Sequence, residues 1–258
     1  MNDSRISGLY RLSVPERISR LEELGHLSPA DALRLRDGRH VLSAAAADQM
    51  IENVLGVFGL PFAVAPNFVV SGREHVVPLV VEEPSIVAGL SAAAAMARRA
   101  GGFVVENDGS LLIGQVHITD MADADNAVTA LNQARARLVD LANAVHPRLV
   151  GRGGGVRDIE VRLFALPDGQ PLIAVHLLVD TCDAMGANLV NSICEAIAPE
   201  LASLCDGRVA LRILSNLSDR SLFTARARFT LPENERDAIV TANYIALVDP
   251  YRAATHNK

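Results

Sequence analysis

The sequence of 258 residues contains no tryptophan, and the three aromatic residue types together make up only 4% of it. Aromatic side chains are too scarce to build the stacking surfaces that bind single-stranded nucleic acid. Basic residues are also in deficit, since 24 Lys and Arg stand against 30 Asp and Glu and leave a net charge of -6. A negatively charged chain is poorly suited to a phosphate backbone, so nucleic acid is not an expected partner.

The sequence is poor in cysteine, with only Cys182, Cys194 and Cys205, and none of these forms a CxxC pair. It therefore indicates neither a disulfide framework nor a thiolate metal site. We expect all three to be small, buried, apolar residues. The 7 histidines show no HxxxH or HExxH spacing, and no metal is expected.

Long hydrophobic runs are missing as well. No stretch approaches the roughly 18 uninterrupted apolar residues of a membrane span, and the N-terminus lacks the charged and apolar regions of a signal peptide. Half of the residues are nevertheless hydrophobic, which excludes disorder. We expect a cytoplasmic protein without a membrane partner, whose core consists mainly of Ala, Val, Leu and Ile.

The first part of the chain predicts helices followed by strands. A hydroxyl residue three positions before an acid, with Pro between them, predicts helix starts at Ser13 and Ser28. The remaining elements are a helix at 43–55, strands broken at Pro66-Asn67 and at 71–73, a strand at 76–81, and a helix at 86–99. Gly101 and Gly102 end that last helix and would let another backbone approach closely.

The second part of the chain alternates strands and helices in a regular order. They are a strand (111–119), a long helix (124–144), strands at 158–165 and 171–180 joined by a 167–169 turn, a helix (187–205) and a strand (209–215). This βαββαβ order is the split βαβ, or ferredoxin-like, arrangement. A strand at 225–231 and a helix at 233–248 follow. The fold class is therefore α+β: a ferredoxin-like domain at 109–217 inserted into a larger mixed helix and strand domain, 1–108 and 218–258.

Adjacent carboxylates at Glu82 and Glu83 follow a predicted strand and precede the helix at 86–99. Burial among Val80, Val81 and Ile86 would raise the pKa of one of them, so that it could donate a proton near neutral pH. The alternative is a solvated pair that stabilises the positive end of the helix.

The loop 183–188, Asp-Ala-Met-Gly-Ala-Asn, links an apolar strand to a helix. Such a junction presents unpaired N–H groups to an anion, and Gly186 lacks the Cβ that would block a pyrophosphate. The alternative is a tight turn without a ligand. The glycine-rich stretch 151–155 is not a dinucleotide fingerprint, because a strand rather than a helix follows it.

The last ten residues hold Arg252, His256 and Lys258 in one short polar stretch. An Arg that binds a carboxylate and a Lys that stabilises an oxyanion would account for this composition. The alternative is a frayed basic tail.

Together these segments resemble class II 3-hydroxy-3-methylglutaryl-coenzyme A (HMG-CoA) reductases, the soluble bacterial and archaeal form. The segments that carry the resemblance are 52–56 (ENVLG), 78–87 (PLVVEEPSIV), 153–161 (GGG and RDIEV), 183–188 (DAMGAN), 211–216 (LRILSN) and 249–258 (DPYRAATHNK). The resemblance extends from about residue 10 to residue 258. It implies that the larger domain binds the substrate and forms the dimer, and that a nicotinamide nucleotide binds to the ferredoxin-like domain.

The resemblance implies a two-step reduction of the HMG-CoA thioester through a thiohemiacetal, which produces mevalonate and free coenzyme A. Glu83 would protonate the carbonyl oxygen and Lys258 would stabilise the oxyanion, while Ser85, Asn216 and Arg252 would bind substrate. The positions implied for the nucleotide are Asp183, Met185, Gly186, Ala187, Asn188 and His146. A homodimer, or a higher homo-oligomer, would form through Glu52 to Gly56.

The resemblance slightly favours NADH over NADPH. His146, with Arg148 and Arg152 nearby, occupies a region where NADH-using members can carry an acid, so strict NADH preference is less expected. The family also continues beyond the position of Lys258 with a catalytic Asp and a flap histidine. We therefore expect no mevalonate formation by residues 1–258 alone. The alternative function is a non-catalytic protein that binds acyl-coenzyme A or a nicotinamide nucleotide.

Overall fold

The computed structural model describes residues 3–107 and 109–256, which form two four-stranded sheets with helices. In chain order the elements are a 3-10 helix (Leu9–Arg11), α1 (Val14–Glu23), α2 (Pro29–Arg36), α3 (Ala44–Ala47), β1 (Phe62–Val70), β2 (Arg73–Val80), α4 (Ile86–Arg99), β3 (Phe103–Asn107), β4 (Leu111–Thr119), α5 (Ala124–Gln133), α6 (Arg135–Ala144), α7 (Pro147–Gly151), β5 (Gly155–Ala165), β6 (Pro171–Asp180), α8 (Ala187–Cys205), β7 (Arg208–Ser215), β8 (Phe223–Ala227), α9 (Glu233–Val248) and α10 (Pro250–His256). None of the described helices is long and apolar enough to cross a membrane.

The predicted helix starts at Ser13 and Ser28 are confirmed. Ser13 donates from its backbone N–H and its hydroxyl to the carboxylate of Glu16, at 2.7 and 2.6 Å. Ser28 accepts a bond from the N–H of Asp31 at 3.2 Å. Each helix thus begins where a side chain at its first turn satisfies groups that the helix itself leaves unpaired.

The predicted third helix is wrong in length, because α3 ends at Ala47 rather than near residue 55. Met50, Ile51 and Leu55 are exposed beyond it, and Asn53 has a left-handed backbone with φ 59°. A short helix is stable mainly when it buries an apolar face. These side chains bury none, so the helical pattern alone does not hold the segment in a helix.

The first sheet has the strand order β2-β1-β3-β8. The predicted break at Pro66-Asn67 is wrong: β1 continues through it, with a bulge between Ala65 and Phe68 and with φ 77° at Asn67. Strand β3 was not predicted, and β8 begins and ends before the predicted 225–231. The close approach expected at Gly102 is confirmed, since a Cβ there would collide with the backbone and side chain of Val69 on β1.

The second sheet has the strand order β5-β6-β4-β7 with every neighbouring pair antiparallel. Its elements follow the predicted βαββαβ order, so the α+β class with a ferredoxin-like unit is confirmed. Helices α5, α6 and α8 cover one face of this sheet. The shared core is aliphatic with a few sulfur-containing residues, and it includes Leu131, Leu138, Ile193 and Ile197.

The predicted long helix at 124–144 is divided into α5 and α6 at Ala134, where φ is -83° and ψ is -1°. The division changes which residues face the sheet in the second half. Leu141, predicted on the buried stripe, is 41% exposed, whereas Ala142 is fully buried. Tertiary packing therefore overrides the regular helical period here.

The chain divides into two compact units, of which the second runs from Glu106 to Thr224 and the first comprises the residues on either side of it. The predicted insertion, 109–217, lies inside this second unit. The assignment of substrate to the first unit and nucleotide to the second stays a prediction.

Candidate functional site

The loop that joins β2 to α4 carries the first group of predicted site residues. Glu83 is half-buried, whereas Glu82 is exposed. Val80, one of the residues expected to shield them, is 62% exposed. Of the two carboxylates, Glu83 is therefore the one that is partly removed from water.

Ser85 occupies the N-cap position of α4 in an unusual conformation. Its backbone is left-handed, with φ 72° and ψ -14°, and its hydroxyl makes no capping bond. A non-glycine residue in this region costs about 1–3 kcal/mol, and such residues concentrate at functional sites. The N–H groups at the N-terminus of α4 therefore receive no side-chain cap, and the first turn of the helix contains no acid.

The remaining substrate positions lie on different elements. Asn216 directly follows β7 in the second unit and is exposed. Arg252 is exposed on α10 in the first unit. Residues Pro250–His256 form this helix, and the substrate-binding role of Arg252 stays a prediction. Lys258, the predicted oxyanion-stabilising cation, lies outside the described residues.

The second unit contains a cavity of about 600 Å³ between α7 and the loop that leaves β6. We call it the α7 cavity. Its lining residues are Val145, His146, Pro147, Arg148, Leu149, Arg152, Thr181, Cys182, Asp183, Ala184 and Leu189. The volume lies in the range of about 300–1,000 Å³ that is typical of small-molecule sites. Of the predicted nucleotide residues, the structure brings Asp183 and His146 together here.

A set of local bonds shapes the loop that forms one wall of the α7 cavity. Asp180, the last residue of β6, accepts bonds from the N–H of Cys182 at 3.0 Å and from the guanidinium of Arg157 at 2.9 Å. The hydroxyl of Thr181 donates to the carbonyl of Ala184 at 3.0 Å. Arg157 holds the pKa of Asp180 below its usual value, so this anchor remains a carboxylate.

Gly186 is required by the packing of its own unit. It is buried with φ 82°, and a Cβ there would lie 2.5 Å from Thr181 Cγ2 and 2.8 Å from Leu112 Cδ1. Gly186 is not among the residues that line the α7 cavity, and neither are Met185, Ala187 and Asn188. Space for a pyrophosphate was the predicted reason for this glycine. The packing of Thr181 and Leu112 is a second reason that does not depend on a ligand.

The glycine-rich stretch 151–155 brings the chain from α7 into β5, as predicted from the strand that follows it. A Cβ on Gly154 would lie 2.7 Å from the carbonyl oxygen of Asp180 and 2.8 Å from Cys182 Sγ. Asn143 fixes the start of β5, because its amide accepts from the N–H of Val156 at 2.7 Å and donates to its carbonyl at 3.0 Å. This close passage places α7 beside the end of β6.

His146 and two arginines are the basic residues in the lining of the α7 cavity. The Nε2 atom of His146 is buried and has no hydrogen-bond partner among the described residues. Arg148 and Arg152 are exposed, and neither makes an ion pair within the described part of the chain. Unpaired cationic and polar groups around one cavity are suited to an anionic ligand.

Cys182 is a correction to the sequence analysis, because it is exposed and lines the α7 cavity. Its backbone has φ 52°, in the turn that follows β6. Cys194 and Cys205 are buried as predicted, and burial raises the pKa of their thiols to about 12 and about 11. No group of three or more His, Cys, Asp or Glu side chains within residues 3–107 and 109–256 is arranged to hold a metal ion. The expectation of a site without metal stays a prediction.

Comparison with known protein families gives a match over nearly the whole chain. The family described as hydroxymethylglutaryl-coenzyme A reductase matches residues 13–258. A 3-hydroxy-3-methylglutaryl-coenzyme A reductase of Archaeoglobus fulgidus is 43% identical over 99% of this chain and 59% of its own length. A probable reductase of the same name from Borreliella burgdorferi is 33% identical over 81% of this chain and 49% of its own length. The chain thus spans about half to three fifths of these curated relatives.

Solved structures of the same family are also similar. A 3-hydroxy-3-methylglutaryl-coenzyme A reductase of Streptococcus pneumoniae matches with a TM-score of 0.88 and 37% identity, over 97% of this chain and 70% of that one. A class II reductase from the same organism, bound to NADPH in open conformations, matches with a TM-score of 0.87 and 38% identity, over the same shares of the two chains.

Proposed function

Because the chain belongs to the hydroxymethylglutaryl-coenzyme A reductase family, we propose that it takes part in the interconversion of HMG-CoA with mevalonate and coenzyme A. The reaction uses two equivalents of a reduced nicotinamide nucleotide. The match over residues 13–258 carries this proposal. It includes both the β2–α4 loop and the α7 cavity.

Glu83 is the proposed proton donor to the substrate carbonyl oxygen, and its partial burial beside an exposed Glu82 supports this choice. Ser85 is proposed to bind substrate, because its hydroxyl is not used as a cap and the N-terminus of α4 remains open to an oxygen of the ligand. Asn216 and Arg252 complete the proposed substrate contacts. Lys258 has the oxyanion role that the resemblance implies.

The α7 cavity is the proposed site of the nicotinamide nucleotide, which supplies hydride when it is bound. The residues present fit such a ligand: an orphaned buried nitrogen on His146 and two unpaired arginines surround the cavity. Asp183 is suited to accept a bond from a ribose hydroxyl. The cavity lies within the second unit, so nucleotide binding depends on residues of that unit.

We also propose that two copies of the chain associate through the segment around Glu52 to Gly56. Large apolar side chains are exposed there: Met50, Ile51, Leu55 and Phe58. Exposed apolar patches of this kind commonly mark protein interfaces. A cytoplasmic location is part of the same proposal, and the three free cysteines are compatible with a reducing compartment.

Binding of HMG-CoA and of reduced nucleotide to the protein, each followed by calorimetry, tests the proposed reaction. Both ligands are expected to bind. Arg252→Ala is expected to weaken HMG-CoA binding at least about tenfold, or about 1.4 kcal/mol, and to leave nucleotide binding unchanged. Arg99→Ala, which removes an exposed cation from the same unit, is the matched control. Nucleotide binding without any HMG-CoA binding would favour the non-catalytic alternative.

Sedimentation of the purified protein tests the proposed association. A dimer or a higher homo-oligomer is expected, and the double change Leu55→Asp with Phe58→Asp is expected to give monomers. Leu33→Asp, which also alters an exposed apolar residue, is the control. A native monomer would contradict the proposed interface.

A further inference from the structure

We propose that Glu160 and Arg220 act as positioning residues for the substrate contact at Asn216. Arg220 and Asn216 both lie in the connection of residues 216–222, which leads from β7 to β8, and Glu160 lies on β5. The ion pair between Glu160 and Arg220 holds this connection in the place from which Asn216 reaches HMG-CoA. The inference rests on the proposed function, since it takes Asn216 to bind substrate.

The connection 216–222 is shaped first by bonds within itself and with the end of β7. The N–H of Leu217 donates to Ser215 Oγ at 3.1 Å, and the N–H of Ser221 donates to the carbonyl of Ser218 at 3.2 Å. These bonds determine how the connection curves. They do not determine where it lies against the second sheet, because donor and acceptor belong to the same short stretch of chain.

Arg220 makes the contacts that tie the connection to other strands of the second sheet. Its carbonyl accepts a bond from the N–H of Leu111, the first residue of β4, at 3.1 Å. Its guanidinium donates to Oε1 of Glu160 on β5 at 3.0 Å, although 60 residues separate the two in the chain. Strands β4 and β5 lie on opposite sides of β6, so this one residue contacts both neighbours of the same strand.

The pleat of β5 places Glu160 on the face of the sheet that carries no helix. Its neighbours Ile159 and Val161 pack in the core on the helix side, so Glu160 projects from the other face. Its second oxygen, Oε2, accepts a bond from Arg162 on the same strand at 3.0 Å. Two arginines therefore share the carboxylate, and of these two only Arg220 belongs to the connection.

The exposure of the ion pair suits a contact that directs a segment of chain rather than one that stabilises the fold. The side chains of Glu160 and Arg220 are 28% and 44% exposed. Ion pairs with this exposure add little to the free energy of unfolding. A connection that is already held in place, however, loses less conformational entropy when a ligand binds to it. We therefore expect the pair to affect substrate affinity while the unfolding midpoint changes little.

The test is calorimetric titration of the full chain with HMG-CoA. Asn216→Ala is expected to weaken binding about fivefold to tenfold, because it removes a hydrogen-bonding side chain. Glu160→Ala and Arg220→Ala are each expected to weaken it about threefold to fivefold, which is the range that an exposed ion pair allows. In the Asn216→Ala background the same two changes are expected to alter the affinity less than about twofold, since the side chain that they position is absent.

Two matched variants separate positioning from general effects of charge. Arg162→Ala removes the other cation that binds Glu160, and it is expected to leave the affinity for HMG-CoA within about twofold of the native value. Arg220→Lys keeps a cation on the connection and is expected to retain most of the native affinity. The thermal unfolding midpoint and the affinity for reduced nucleotide are expected to remain native in all of these variants, which shows that the second unit is folded.

Each outcome has a distinct consequence. Native affinity in Glu160→Ala and Arg220→Ala, together with weak binding by Asn216→Ala, would overturn the positioning role and retain Asn216 as a substrate contact. An equal loss in Arg162→Ala, or a loss that persists in the Asn216→Ala background, would also overturn it, because the pair would then act through charge or stability alone. If Asn216→Ala binds HMG-CoA as tightly as the native protein, or if the native protein does not bind it, the proposed substrate contact fails together with the inference.

Discussion

Gln115 on β4 donates a hydrogen bond from Nε2 to Nε2 of His176, directly opposite on β6, at 2.8 Å. Both side chains lie on the face of the second sheet that is turned away from α8, because neighbouring Gly114 faces Val190 and Cys194 on that helix. His176 is 7% exposed, and its Nδ1 atom has no partner among the described residues. This arrangement requires a neutral imidazole, since a protonated ring cannot accept the bond.

Protonation of this face is expected to destabilise the protein in mild acid. Burial, followed by the charge of Arg162, lowers the pKa of His176 below its ordinary value of 6.5, and burial lowers the pKa of His117. Three further groups act on the pKa of His176: Glu160 and Asp219 oppose the shift, whereas His117 adds to it. The unfolded state therefore binds more protons than the folded state, so stability is full above about pH 6.5 and is lost as pH falls below it.

Urea unfolding midpoints between pH 5 and 8 measure this effect. Below about pH 6.5, the urea midpoint is expected to fall less steeply with decreasing pH in His176→Gln than in the native protein. His40→Gln, which changes an exposed histidine, is expected to keep the native slope. An unchanged slope in His176→Gln would assign the acid sensitivity to other groups.

A network at the start of the chain is expected to be important for the stability of the first unit. The fully buried Ser4 donates from its hydroxyl to Glu74 at 2.6 Å, and Arg98 donates to the same carboxylate at 2.7 Å. Arg98 lowers the pKa of Glu74 to about 2. Glu74→Ala leaves Arg98 without its main partner, and we expect a loss of about 2–3 kcal/mol in the free energy of unfolding.

Chemical denaturation of Glu74→Ala and of a matched variant provides the measurement. Glu23→Ala breaks an exposed pair with Arg20, and its expected cost is below about 1 kcal/mol. Similar costs for the two variants would mean that the Glu74 network is no more stabilising than a surface ion pair.

Gly186→Val is expected to destabilise the second unit before it affects a ligand. The substitution adds a side chain where φ is 82° and where Thr181 and Leu112 leave no room for a Cβ. The expected cost is at least about 2 kcal/mol, from backbone strain and overpacking together. Gly169→Val isolates the strain, because Gly169 has φ 87° with nothing near its Cβ position, and it should cost only about 1 kcal/mol.

Thermal unfolding of the two glycine variants distinguishes these contributions. If Gly186→Val unfolds at the native temperature but fails to bind nucleotide, the glycine serves the ligand rather than the fold.

Glu83→Gln is expected to remove reduction while preserving substrate affinity. If Glu83 protonates the carbonyl oxygen, the amide cannot replace it, and loss of a general acid typically costs about 10² to 10⁴ in rate. The measurement uses a chain completed with the C-terminal part that the family carries. Its rates of reduction of the thioester and of the aldehyde-level substrate should both fall. The exposed neighbour provides the control: Glu82→Gln should be milder, and equal losses would mean that the wrong carboxylate was chosen.

Much of the fold could be predicted from local pattern. The bounds of α8 and α9, the capped starts at Ser13 and Ser28, and the βαββαβ order were all readable because caps, turns and apolar periods are properties of neighbouring residues. The failures occur where distant contacts decide. The apolar residues that follow Ala47 in the predicted helix do not pack against another element, so the helix ends early. Strand β3 forms because it pairs with β1, which is distant in the sequence.

The candidate site shows the same division. The sequence by itself determined the family, the β2–α4 loop with Glu83 and Ser85, and the loop 183–188, because each is a contiguous motif. Only the tertiary structure decided that Arg148 and Arg152 share a cavity with Asp183 and that Cys182 opens onto it. The physical reason is that the glycines before β5 let α7 pass close to the end of β6, which brings together two segments that are far apart in the chain.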